Sequence, residues 1–205
     1  MRFATLLATP GVTEICELRS PFGFMAFHGG NLERMTDEIA EVAAERSGSS
    51  LYAVVQAPPL REHLPSTEVN PEASPALARF LDHVEVVVAL HGYGRQGLWT
   101  SLLVGGTNRA LAHTLADNLR AYLPDFEVVE DPDAIPADLR GQHPRNPVNR
   151  PAGAGVQLEL PPRVRGLTPH AAGFERVDGR IAPTNALIDA LVATAAQWGL
   201  SDHAP

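Results

Sequence analysis

An α/β fold, with a mixed and mostly parallel sheet and helices on both faces, is what this sequence predicts. Three observations predict it. Short β-branched or aromatic runs alternate with stretches of helical period, as they do where strands are joined through crossover helices. Within VEVVVALH, residues 84–91, the β-branched stretch VVVAL is apolar without alternation, as in strands covered on both faces. The chain has 205 residues and is 44% hydrophobic, which suffices for one sizeable core, so one domain over residues 1–205 is expected.

The elements follow in order. FATLLA (residues 3–8) and TEICEL (13–18) read as short strands separated by Pro10-Gly11, and PFGFMAFH as a buried aromatic strand. Apolar residues at Met35, Ile39, Val42 and Ala43 give a helix over residues 35–46, with Thr36 or Asn31 as its cap and Gly48 as its stop. LYAVVQ is a strand. The proline-rich residues 57–74 lack a period and read as a surface loop. Residues 76–81 form a short helix, and VEVVVALH is the central strand. LWTSLLVGG is a strand ending in glycines. Leu111, Leu115 and Leu119 share one face of a helix over residues 108–122, and the strand FEVVE follows it. Residues 131–153, DPDAIPADLRGQHPRNPVNRPAG, are a long proline-rich excursion; such connections inside a domain are often functional. GVQLELP is a strand, and a last helix covers residues 183–198 with Pro183 in its first turn.

Composition excludes several functions. All 16 basic residues are arginine, so a Schiff-base lysine, a pyridoxal-phosphate lysine and a P-loop lysine are ruled out. The formal net charge is −8 and no basic stripe appears, so nucleic acid is not an expected partner. The single cysteine, Cys16, cannot form an intramolecular disulfide, and its apolar run makes it a packing residue. No apolar run approaches the roughly 18 residues of a membrane span, and the N-terminus lacks the pattern of a secretory signal. No membrane partner is expected, and the cytoplasm is the expected location.

In open α/β sheets, ligands bind beyond the carboxyl ends of strands. His28 ends one predicted strand and Glu33 lies in the turn after it. His91 ends the central strand, and Glu159 lies in GVQLEL. Two imidazoles and a carboxylate are what a catalytic zinc site uses, with one position kept for water. His28 and Glu33 are not on one helical face, so they converge only if Gly29-Gly30 turns the chain back. Each residue also has a plainer reading. A strand-end histidine is often structural, Glu33 suits the first turn of a helix, and Glu159 can alternate outward to solvent. The histidines at 63, 83, 113, 143, 170 and 203 read as non-ligands, His63 least clearly. G-x-S-x-G and H-E-x-x-H are absent, and HGYGRQG lacks dinucleotide-binding spacing. By themselves the residues point to a metallohydrolase and no further.

HGGNLERMTDEIA, VVVALHGYG, LLVGGTN and NPVNRPAGAGVQLELPPRVR, in that order, resemble the poly-γ-glutamate hydrolase family, also known as phage-related replication protein. The resemblance covers most of residues 20–165. It implies a zinc-dependent amidohydrolase domain with a zinc-carboxypeptidase-like fold. It also implies His28, Glu33 and His91 as zinc ligands and Glu159 as general base. The substrate it implies is a small-molecule or polyanionic amide, with γ-glutamyl linkages first. An arginine should then steady an oxyanion or clamp a substrate carboxylate; Arg150 is the first choice, followed by Arg145 and Arg95. A polyanion would be repelled by an acidic surface unless arginines cluster near the cleft. Two other readings stay open: a deacylase or carboxypeptidase for a small N-acyl amino acid or peptidoglycan fragment, and a non-catalytic metal- or ligand-binding protein. The sequence leaves the oligomeric state open.

Overall fold

Seven strands form one sheet in the computed structural model, which describes residues 2–201. In chain order they are β1 (Val12–Glu17), β2 (Phe22–Gly30), β3 (Ser50–Gln56), β4 (Val86–Gly92), β5 (Ser101–Val104), β6 (Glu127–Val129) and β7 (Gly155–Leu160). Their spatial order is β1-β3-β2-β4-β7-β5-β6. β3, β2, β4 and β7 run parallel to one another, β1 and β5 join antiparallel, and β6 runs parallel to β5. The sheet is therefore mixed and mostly parallel. Every residue of β4 from Val86 to His91 is buried, as its unbroken apolar run predicts.

Helices cover both faces. Helix α2 (Thr36–Ser47), α4 (Arg109–Tyr122) and α5 (Ala182–Ser201) pack on one face against Phe24, Val88, Leu90 and Leu158. Helix α1 (Phe3–Leu7) and α3 (Pro75–His83) pack on the other, against Met25, Phe27, Val87 and Ala89. Asn108 caps α4 by accepting from the Leu111 N–H at 2.9 Å. Gly48 ends α2 in the left-handed conformation, φ 67°. Cys16 is half-buried, and its thiol donates to the Ala76 carbonyl. No described helix is long and apolar enough to cross a membrane.

Several local expectations are corrected. Residues 3–8 are helical, not extended: Phe3 and Leu6 lie three apart and are both buried, and a run that short cannot show which period it follows. Neither Thr36 nor Asn31 caps α2. Met35 holds the cap position at φ 78° without a side-chain bond, while Asn31 donates to the Leu60 carbonyl. Residues 57–74 are not simply a surface loop. Leu64 and Val69 are buried in the core, and the segment carries two 3₁₀ turns, Ser66–Glu68 and Pro71–Ala73. The hairpin β8 (Arg176–Val177) and β9 (Arg180–Ile181) was not anticipated, although its Asp178-Gly179 turn, with both φ positive, is a strong hairpin signal. His203 lies outside the described residues.

Strand order reverses around β2 and β4. β3 lies on the far side of β2, reached through α2, and the chain then returns through α3 to place β4 on the near side. The crevice beyond the carboxyl ends of β2 and β4 is thus the switch point at which open α/β sheets bind ligands.

Candidate functional site

His28 reaches that crevice through an irregularity in β2. Along β2, Phe22, Phe24 and Ala26 face the α2/α4/α5 layer, and Met25 and Phe27 face the other. Strict alternation would return His28 to the first face. Between Ala26 and Gly29, however, the register against β3 shifts: Ala26 pairs with Ala53, but Gly29 pairs with Val55. The extra residue re-aims His28 toward the side of Phe27. Its ring centroid lies 4.9 Å from Phe27 and 5.0 Å from His91. His91 and Glu159 are direct register partners on β4 and β7, so they share a face without any irregularity.

The Gly-Gly turn brings Glu33 back. The Glu33 N–H donates to the His28 carbonyl at 2.9 Å, closing the loop. Gly30 sits at φ 69°, where a Cβ would lie 2.3 Å from the Gln56 carbonyl oxygen; only glycine fits. The Asp37 carboxylate holds the turn by accepting from the Gly30 N–H at 3.0 Å. Glu33 Oε1 then lies 2.9 Å from His28 Nδ1, and Oε2 lies 3.4 Å from His91 Nδ1. Oε2 also accepts from the Gly92 N–H at 2.8 Å. One ligand atom from each of His28, Glu33 and His91 lies within 4.8 Å of the others.

These residues fit a metal. His28 Nε2 lies 2.8 Å from the Leu64 carbonyl, which can only accept, so Nε2 carries a proton. In a neutral ring Nδ1 is then a bare acceptor facing a carboxylate, and a proton or a cation must sit between them. A backbone carbonyl on the far imidazole nitrogen is how metal-ligating histidines are oriented. His91 Nε2 is buried and has no hydrogen-bond partner among the described residues. Two histidines and a glutamate make a zinc donor set with a position to spare.

Electrostatics separates the two acids. Burial works against ionisation of Glu33, but the two imidazoles overcome it and hold its carboxyl well below the ordinary carboxylate range. Burial alone would lower His91, and Glu33 outweighs it, so His91 is raised. Glu159 is buried and pushed up to about 7, chiefly by that burial and only partly offset by His91. The plainer reading of Glu159, alternating out to solvent, fails: its side chain is buried, and residues of 131–153 pack against its strand neighbour Gln157. A chain of amides fixes the carboxyl: Gln157 Nε2 donates to Glu159 Oε1 at 2.8 Å, and Asn146 Nδ2 donates to Gln157 Oε1 at 2.7 Å.

Arg165 was not singled out from sequence. It is buried, and its guanidinium donates to the carbonyls of Leu160, Tyr93 and Arg34. It thereby joins the end of β7, the end of β4 and the Glu33 turn. Gly92 allows this approach, since a Cβ there would lie 2.5 Å from Arg165 Nη1. Gln157 was legible as the residue two before Glu159 on the same strand face; nothing in the run PPRVR marks Arg165 as a staple.

A cavity of about 540 Å³ opens over the cluster. His28, Glu33, His91 and Glu159 line it, with His63, His143, Asn146 and Gln157. The His63 ring lies 5.1 Å from that of His28, and burial lowers its pKa. Both proline-rich segments supply wall, Pro65 to Thr67 from one, and Ala137 to Leu139 with Gly141 to His143 from the other. No arginine lines this cavity among the described residues. Arg150 is exposed and lines a different one with Arg145 and Arg2. The 3₁₀ turn Pro147–Asn149 buries Val148, so of NPVNR it is Asn146 that reaches the metal-site cavity. Arg95 ion-pairs with Asp138 at the rim.

Comparison with known proteins bears on the family and the fold. A family profile described as poly-gamma-glutamate hydrolase matches residues 9–176. The YndL protein of Bacillus subtilis (strain 168) is 30% identical over 148 residues, 70% of this chain and 54% of that protein, so the chain spans about half of that relative's length. Among solved structures, a bacteriophage poly-gamma-glutamate hydrolase superposes with a TM-score of 0.75 at 26% identity, covering 93% of this chain and 91% of that one. A zinc-free form of YndL gives 0.69 at 22% identity, over 95% and 92%. A carboxypeptidase candidate from Burkholderia mallei gives 0.54 at 11% identity over 97% and 66%, a likeness of fold alone.

Proposed function

The chain belongs to the poly-gamma-glutamate hydrolase family, and from that premise we propose that it is a metal-dependent hydrolase that cleaves γ-glutamyl amide bonds at the crevice of His28, Glu33, His91 and Glu159. The observation that carries the reading is a three-residue ligand cluster with a buried, unligated carboxyl one strand away on the same cavity wall. The name of the phage relative supports the γ-glutamyl linkage, and the zinc-free description of YndL supports zinc as the metal.

His28, Glu33 and His91 would hold the ion. Zinc in such a site supplies Lewis acidity, which makes water a nucleophile near neutral pH and polarises a carbonyl. The chain's own residues do the rest. Glu159 accepts a proton from the attacking water and delivers it to the leaving nitrogen. A carboxyl near 7 is matched to moving a proton both ways at neutral pH. Gln157 donates to one carboxyl oxygen and so leaves the other to face the cavity. Leu64 and Gly92 fix His28 and Glu33 through backbone bonds. The loops 63–67 and 137–143 wall the crevice and limit access of bulk water.

The test is Glu159→Gln. Hydrolysis of poly-γ-glutamate should fall at least about 100-fold while the zinc content of the purified protein is unchanged. Turnover at the parent rate would remove Glu159 from the chemistry. A parent enzyme that ignores poly-γ-glutamate but cleaves short N-acyl amino acids would replace the substrate assignment and leave the site standing.

A further inference from the structure

The metal-site cavity holds no arginine among the described residues, yet a polyanionic substrate needs counter-charge on a chain of net charge −8. The counter-charge lies next door. A second cavity, of about 670 Å³, is lined by Arg2, Arg145 and Arg150. None of these three guanidinium groups has an ion-pair or hydrogen-bond partner among the described residues. Glu68 and Glu72 also line the cavity, which leaves arginine in excess by one. Glu72 is drawn off toward Asn70, whose amide donates to it at 3.3 Å.

The two cavities share a wall. Thr67 lines both. Ser66 faces the metal site while Glu68 faces the arginine cavity. The same division recurs on the excursion, where Asn146 lines the first and its neighbour Arg145 the second. Two separate segments therefore part the spaces by one residue each. Thr67 is thus the point over which a chain leaving the metal site would pass into the arginine cavity. Planar guanidinium groups bind carboxylates bidentately, and unpaired ones lose no existing partner when they do so.

We propose that the cavity of Arg2, Arg145 and Arg150 is a subsite for the free carboxylates of the substrate chain beyond the cleaved bond. This rests on the γ-glutamyl reading above. It makes the enzyme prefer long polyanions to short substrates, because only a chain of several units spans both cavities.

The experiment uses the zinc-loaded 205-residue chain carrying Glu159→Gln, which should hold the polymer without cutting it. Binding of fluorescently labelled poly-γ-glutamate is compared with that of the same protein carrying Arg145→Gln and Arg150→Gln. Both arginines are exposed, and matched melting curves check the fold. Loss of two exposed charge pairs should raise Kd about tenfold and flatten the salt dependence. With Glu159 restored, the ratio of KM for polymer to KM for a γ-glutamyl dipeptide should rise by a similar factor. An unchanged Kd, an unchanged KM ratio, or no polymer binding by the parent would overturn the subsite. If the active enzyme fails to cleave poly-γ-glutamate, the γ-glutamyl reading falls instead. Binding, measured without turnover, still decides whether these arginines hold a chain of carboxylates.

Discussion

Burial forces a choice on Glu159. It sits 3% exposed, against a neutral amide and near a second carboxylate, and its pKa rises from an ordinary 4.5 to about 7. The folded state then binds its proton more tightly than the unfolded chain does. The resulting stabilisation is complete below pH 4.5 and is lost as the pH climbs through about 7. Glu159→Gln carries no charge at any pH. In metal-free protein it should therefore add about 1–3 kcal/mol to stability at pH 8 and little near pH 4.5. Urea denaturation at the two pH values checks this, and an equal gap at both would mean that the carboxyl is not strained by burial. A residue that destabilises its own fold near neutrality while poised to move protons is what a general base asks of its surroundings.

At the scale of the element, the site depends on two departures from regular structure, the bulge of β2 and the Gly30 turn. Together they let one strand end deliver two candidate ligands, His28 and Glu33, five residues apart, to one point. Gly30→Ala tests the turn. The left-handed conformation costs an L-residue about 1–2 kcal/mol, and a methyl against the Gln56 carbonyl costs about as much again. The loss should be at least about 2 kcal/mol by thermal or urea unfolding, and zinc content should fall with it as Glu33 moves away from His28. A variant of parent stability and full zinc content would show that the turn does not set the ligand geometry.

The whole molecule assembles the rest. The candidate ligands come from β2, its turn and β4, the proposed base from β7, and the cavity walls in part from two proline-rich segments that are far apart in sequence. A metal that binds only this folded arrangement stabilises it by mass action. At a hundredfold excess of free zinc over its Kd the gain is about 2.7 kcal/mol. For a chain of this size that is a rise in Tm of about 5–10 °C. One sheet with both helix layers packed on it should melt in one transition, and His91→Ala should erase the zinc-dependent shift. Two transitions, or a shift that survives His91→Ala, would place the metal elsewhere or divide the fold. The asymmetry of charge belongs to this scale too: on a chain of net charge −8, Arg2, Arg145 and Arg150 gather around one cavity, and the subsite proposed above would steer a polyanion to that side of the molecule.

The sequence alone determined the sheet and its class, because period and β-branching are local properties. The runs of β2, β4 and β7 and the leucine face of α4 are legible residue by residue. It also marked His28, Glu33 and His91 as side chains of types that can ligate a metal, and their positions in and just after strand ends made their convergence, seen in the fold, geometrically reasonable. Short FATLLA was misread because its period is decided by what it packs against, not by its own residues. Tertiary structure alone decided that Glu159 is buried, since the groups around it, His91, Glu33 and Arg165 among them, come from other parts of the chain. It decided that His28 lies on the face of His91, because a one-residue bulge inverts the alternation that a sequence suggests. It decided the arginines as well: Arg165 staples three site segments through backbone carbonyls, and Arg150 faces a neighbouring cavity. Where a side chain points after a turn depends on contacts with distant chain, and no local pattern encodes them.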